Sequence, residues 1–188
     1  GAAGTIAAAF VAKAVPDGYT LLVVPGAFTT FAALYRNLPF DTMKDFAPIS
    51  LLSKRPQVLI ATPSFPPRNV GEYIAYARAN PGKINYATTG EGSGGHLGGT
   101  WLHHDTSTSV TFVHYKGTGP IVPDLIAGRV DVTSAAVSLA TPLIKAGKVK
   151  PLVLLSERRH PLLPDLATVA EGTIPGFENS SMTGVAAP

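Results

Sequence analysis

The stretch NYATTGEGSGGHLGGTWL, residues 85–102, holds the residue types best suited to chemistry in this chain. Ile84 and Tyr86 end a strand, glycines and hydroxyls follow, and Leu97, Trp101 and Leu102 then recur at helical spacing. A strand, a Gly-rich turn and a helix in that order leave the first backbone N–H groups of the helix unpaired and pointing one way. The helix dipole adds to them, so the ligand that suits such a turn is an anion. Thr88, Thr89 and Ser93 add hydroxyls, and Gly90, Gly94, Gly95 and His96 complete the turn. A plain surface turn with Gly95 or His96 entering the helix accounts for the same local pattern, and both readings stay open on that pattern alone. The run GEGSGG lacks the Lys-Ser/Thr that ends a nucleotide P-loop, and no acidic residue follows a second strand as a dinucleotide fold requires.

Other chemistry is thinner. His103 and His104 are adjacent, so they point to different sides of a helix, and no HExxH occurs; no metal site is expected. Ser93 has a glycine directly on each side, where a GxSxG nucleophile elbow needs an intervening residue. Asp105 and Asp124 supply carboxylates without a triad, and Glu91 is the one acid inside a candidate ligand loop. The absence of Cys excludes disulfides, thiolate catalysis and Cys-based zinc sites. The chain therefore reads as a non-enzyme with no catalytic residue, no metal and no cofactor. His96 is expected to cap or pack the helix start. Lys116 is either an anion partner or a surface lysine, and Phe28 either a pocket wall or core.

The elements that would position these residues follow from composition and periodicity. The chain has 188 residues, 45% hydrophobic and 14% charged, which is a folded composition with ample length for a core. Net charge is +3, with Lys and Arg scattered and no basic run interleaved with aromatics; this argues against nucleic acid and favours a small anionic ligand. No stretch is long and apolar enough to span a membrane. Residues 1–15 are interrupted by Lys13 and lack a basic leader, so they read as an ordinary helix.

From residue 70 to residue 155 helices (70–80, 96–104, 119–127, 138–146) alternate with strands (84–87, 110–115, 130–136, 152–155). That order is the signature of a parallel or mixed sheet covered by helices, whose ligands sit at the carboxyl ends of the strands. The loops after Val24, Ala87, Tyr115 and Val132 qualify, with Thr29, Thr30, Lys116, Thr118, Thr133 and Ser134 as their polar residues. Outside this block, residues 5–14 predict a helix with Ile6, Phe10 and Val11 on one face. Residues 19–24 predict a strand buried on both faces. Residues 49–52 and 57–61 predict two strands flanking Lys54-Arg55-Pro56, residues 168–171 a short helix, and residues 177–185 an extended segment.

The segments PDGYTLLVV (16–24), LPFDTMKDFAPISLL (38–52), ANPGKINYATTGEGSGGHL (79–97), YKGTGPIVPDLIAGRVDV (115–132) and LPDLATVAEGTIPGFE (163–178) occur here in order. In this the chain resembles the periplasmic solute-binding proteins of tripartite tricarboxylate transporters, often called Bug proteins, over essentially its whole length. The resemblance implies an α/β, periplasmic-binding-protein-like (type II) two-lobe Venus flytrap. Residues 1–60 would form a partial first lobe, residues 61–155 the second, and residues 156–188 a return to the first. Crossing segments are expected near residues 57–61 and 152–155, with no sheet continuous from residues 19–24 to residues 84–87.

The resemblance also implies a small carboxylate ligand, delivered by a monomeric receptor to membrane permease subunits in a transient encounter, with a periplasmic location. Carried onto this chain, the ligand-binding set is Ala27, Phe28, Thr29, Thr88, Thr89, Gly90, Ser93, Gly94, Gly95, His96, Tyr115, Lys116, Gly117 and Ser134. Members of the family usually begin with a further strand–helix–strand unit, bearing a Pro-Gly-Gly-type loop, and end with a further helix, so this chain is expected to be part of a longer protein. Two departures stand out. His114 replaces the Pro that often precedes Tyr-Lys-Gly, and no acid stands near Ala135. A ligand-sensing subunit for a signalling partner and a small α/β hydrolase are the alternative readings.

Overall fold

Val58, Leu59, Ile60 and Ala61 are all fully buried. Four consecutive apolar side chains on a strand point alternately up and down, so both faces of the sheet must be covered. In the computed structural model, which describes residues 4–188, this run ends the strand β2, Ala47–Ala61. Its second part pairs antiparallel with β5 (Val132–Ala136) on one side and β6 (Lys150–Leu154) on the other. β3 (Asn85–Thr88) lies parallel to β5 and to β4 (Thr111–His114). The resulting order is β6-β2-β5-β3-β4.

Two apolar clusters cover the two faces. Leu59, Ala61, Tyr86 and Val132 pack with Tyr73 and Ala77 of α3 (Val70–Ala79) and with Leu102 of α4 (Gly94–Asp105). Val58, Ile60, Ala87 and Ala135 pack with Ile121 and Leu125 of α5 (Ile121–Ile126) and with Val137 and Ala140 of α6 (Val137–Lys145). Burial of each large apolar side chain contributes about 1.5–3 kcal/mol, so these clusters hold the unit together. α3 starts where Asn69 accepts the Glu72 N–H at 2.9 Å, while the Glu72 carboxylate accepts the Arg68 N–H at 2.8 Å. These elements and α7 (Val169–Gly172) belong to a larger compact unit of Arg55–Glu91 and Gly95–Ser180.

A smaller unit holds the residues through Lys54, Gly92–Gly94 and Ser181–Pro188. It contains α1 (Thr5–Val11), β1 (Leu22–Pro25), α2 (Phe31–Leu34), the first part of β2 and most of β7 (Ser180–Ala187). β1 and β7 pair antiparallel, with Leu22 opposite Ala186. Its core joins those two residues to Ala8, Val11, Phe28, Phe31, Phe40 and Phe46. The Phe28 ring lies 5.1 Å from Phe46 and 5.6 Å from Phe31.

The α/β class and its order of elements agree with expectation, and several details do not. The segments flanking Lys54-Arg55-Pro56 form one strand of 15 residues. Its ladder to β5 begins at Gln57 and its ladder to β6 at Val58, so Pro56, which has no N–H, precedes both of them. β2 gives its first part to the smaller unit and its second part to the larger. The second crossing falls at Ser180–Ser181, leaving β6 wholly within the larger unit. Residues 19–24 do not form a strand buried on both faces: Tyr19, Leu21 and Val23 are exposed, and β1 starts at Leu22.

α1 buries Ala8 and Val11 and leaves Ile6 and Phe10 exposed, so its inward face is not the one that its largest residues mark. The reading of residues 1–15 as one helix falls in part on residues 1–3, outside the described residues.

Candidate functional site

Thr88 and His114 are the last residues of β3 and β4, and the parallel register sets them opposite each other. Their side chains meet, with Thr88 Oγ1 2.7 Å from His114 Nδ1. Thr88 is buried, and the N–H of Tyr115 donates to its carbonyl at 2.8 Å. The chain then turns through Thr89 to Ser93 and enters α4 at Gly94. The turn needs its glycines, because Gly90 (φ 127°) and Gly92 (φ 72°) adopt backbone conformations that side chains disfavour.

The first turn of α4 carries His96, whose ring stands edge-on to His114 at 5.2 Å and to Phe112 at 4.8 Å. His96 is half-buried. Burial is the main cause that holds its pKa below the ordinary histidine value; the neighbouring His114 pushes the same way and Glu91 opposes. The imidazole therefore stays neutral at neutral pH, while the helix start supplies the positive end of a dipole.

Beneath this turn the helix shows a glycine face to the sheet. A Cβ on Gly95 would stand 2.7 Å from Ser134 Oγ, and one on Gly99 would stand 3.2 Å from Tyr86 Cζ. Tyr86 is fully buried, with the Ser134 side chain beside its hydroxyl. Burial pushes its phenol up to about 12, with the Ser134 side chain slightly offsetting that push.

The structure gathers Thr88, Gly90, Gly95, His96, Tyr115 and Ser134 of the expected set around the start of α4 in the larger unit. Thr89 is exposed in the turn itself. Ser93 and Gly94 continue that turn, although their contacts group them with the smaller unit. Ser134 and Thr133 lie within β5 instead of in a loop, and Thr133 Oγ1 donates to the Ala87 carbonyl at 2.8 Å. Tyr115 commits its hydroxyl to Asp124 at 2.8 Å, Lys116 is exposed, and Gly117 has φ 131°.

Ala27, Phe28 and Thr29 belong to a single 3-10 turn of the smaller unit, Gly26–Thr30. Thr29 Oγ1 donates to the Gly26 carbonyl at 2.9 Å. Phe28 is core, and with Thr29, Val24, Phe46 and Leu51 it also lines a cavity of about 380 Å³. Sequence reasoning passed over two residues at the α4 start: His114, noted only as a departure from the family pattern, and Tyr86. The parallel β3–β4 register is the signal that would have singled out His114. Among the described residues no three His, Asp or Glu side chains converge as a metal site requires.

A strand, a glycine turn and a helix start flanked by hydroxyls and imidazoles can hold an anion. The family model for the tripartite tricarboxylate transporter family receptor matches residues 1–188. The chain belongs to this receptor family. It is 36% identical over its whole length to a protein of Agrobacterium vitis encoded in the TAR-I ttuE-ttuC' intergenic region, and it spans 54% of that relative. Two solved receptors of Rhodopseudomonas palustris superimpose on it. Rpa4515 with adipate has a TM-score of 0.90 and 36% identity, covering 98% of this chain and 62% of that one. MatC with bound malate has a TM-score of 0.87 and 36% identity, covering 100% and 64%. The chain thus spans little more than half to two-thirds of the length of these family members. Its fold is that of the periplasmic-binding-protein-like α/β receptors, as its motifs imply, with the first lobe of that fold represented in part.

Proposed function

We propose that this chain serves as a periplasmic solute-binding receptor that captures a small carboxylate for a tripartite tricarboxylate-type permease, as a monomer and without catalysis. The observation that carries this reading is the start of α4, where Thr88, the glycine turn, His96 and His114 surround the positive end of a 12-residue helix in a member of this receptor family. Two similar receptors were solved with adipate and malate, both dicarboxylates. The side chain that β5 offers beside α4 is neutral, Ser134. An ammonium group there would lack a counter-charge and cost several kcal/mol, which disfavours amino acids. The favoured ligands are therefore an aliphatic dicarboxylate or an aromatic carboxylate without an amine.

A thermal-shift and calorimetric panel of adipate, malate, phthalate, aspartate and glutamate tests the reading. Stabilisation by the amine-free acids is the expected result. Greater stabilisation by aspartate or glutamate would overturn the ligand class, and would point to Glu91 as the source of the counter-charge.

A further inference from the structure

We infer that His96, packed against His114, takes up a proton when a carboxylate enters at the start of α4, so that ligand capture is coupled to pH. This rests on the carboxylate reading above and adds a regulatory property to that same site. Two geometric facts carry it. The two rings stand edge-on with centroids 5.2 Å apart. They are held by different elements, His96 by the first turn of α4 and His114 by the end of β4, where Thr88 Oγ1 fixes His114 Nδ1 at 2.7 Å.

The titratable groups facing His96 are His114 from β4 and Glu91 from the turn; the remaining ring against it is Phe112. The residues facing His114 are His96 and the hydroxyl of Thr88. In the free protein half-burial and the neighbouring imidazole both oppose a charge on His96, and Glu91 only partly offsets them. An arriving carboxylate reverses that balance, because an opposite charge within about 4–6 Å raises an imidazole pKa by about one to three units. The protonated His96 is then a charge-assisted donor facing the anion. By linkage, the side of the equilibrium that binds the extra proton gains as pH falls, so carboxylate affinity rises on acidification.

The test is calorimetry of adipate and malate binding in buffers of different ionisation enthalpy near pH 7, where both ligands are ionised. The dependence of the observed heat on buffer enthalpy reports the protons taken up. For the unaltered chain we expect uptake of roughly half a proton and an affinity about five- to tenfold higher near pH 6 than near pH 8. Zero uptake with measurable binding would overturn the inference and leave the carboxylate reading standing. Failure of every carboxylate to bind at any pH would overturn that reading and this inference with it. The His96→Gln/His114→Gln double variant should bind with no proton uptake and a flat pH profile, whereas retained uptake would remove the pair from its role. The measurement on the unaltered chain decides the matter even if the double variant misfolds.

Discussion

Tyr73 Oη and His103 Nε2 lie 3.0 Å apart in the core of the larger unit, and His103 Nδ1 meets Thr108 Oγ1 at 2.6 Å on the opposite side of the ring. Both ring nitrogens are thus engaged by hydroxyls. Burial pushes the His103 pKa down to about 4 and the Tyr73 pKa well up.

The first prediction follows from that clamp. The unfolded chain binds a proton at His103 near pH 6.5 and the folded chain only near pH 4, so stability is full above about pH 6.5 and falls as pH drops toward 4. The difference of about 2.5 units corresponds to about 3 kcal/mol. Urea denaturation across this range should show the loss, and His103→Gln should remove its steepest part. A wild-type stability constant from pH 7 to pH 4 would contradict the assignment.

Gly99 should not tolerate alanine. A helix-interior Gly→Ala change normally gains about 1 kcal/mol. Here the new Cβ would stand 3.0 Å from Phe112 Cε1 and 3.2 Å from Tyr86 Cζ. The Tyr86 ring is fully buried, and the Phe112 ring is wedged between it and His96, so neither can retreat. Overpacking of about 1–3 kcal/mol should outweigh the helix gain. A thermal midpoint that rises in Gly99→Ala would show that the sheet can give way.

Ser93→Asp places a negative charge in the turn that leads into α4, where an anionic ligand is proposed. Charge-assisted hydrogen bonds are worth about 1.5–3 kcal/mol each, so the change should weaken carboxylate binding at least about tenfold. Calorimetry with adipate on the variant would refute the anion site if affinity were unchanged.

α7 starts with a reciprocal cap in which Thr168 Oγ1 accepts the Glu171 N–H at 3.1 Å and the Glu171 carboxylate accepts the Thr168 N–H at 3.2 Å. Thr168 is buried, so Thr168→Ala loses both the cap and packing, at about 1–2 kcal/mol. Arg159→Ala removes only a partly exposed partner of Glu171 and should change the urea midpoint little. Equal effects of the two substitutions would show that the ion pair, and not the cap, holds this helix.

The sequence by itself determined the features whose causes are local. Glycines at positions 90 and 92 mark a turn that only they can make, and the apolar run after them marks a helix, so the strand–turn–helix unit is legible in the residues themselves. The alternation of helix and strand from residue 70 onward likewise specifies a covered sheet, because each amphipathic element must bury one face.

What depends on distant partners is decided only by the tertiary structure. Lys54-Arg55-Pro56 looks like a break between two strands, and only the start of both ladders after Pro56 lets a single strand run past a residue with no N–H. Ile6 and Phe10 look like the buried face of α1 because they are its largest residues, yet the small Ala8 and Val11 are what the phenylalanine core accepts. His114 carries no local sign of function. The parallel register of β3 and β4 brings it against Thr88 and His96, and a register is a property of two strands at once, written in neither alone.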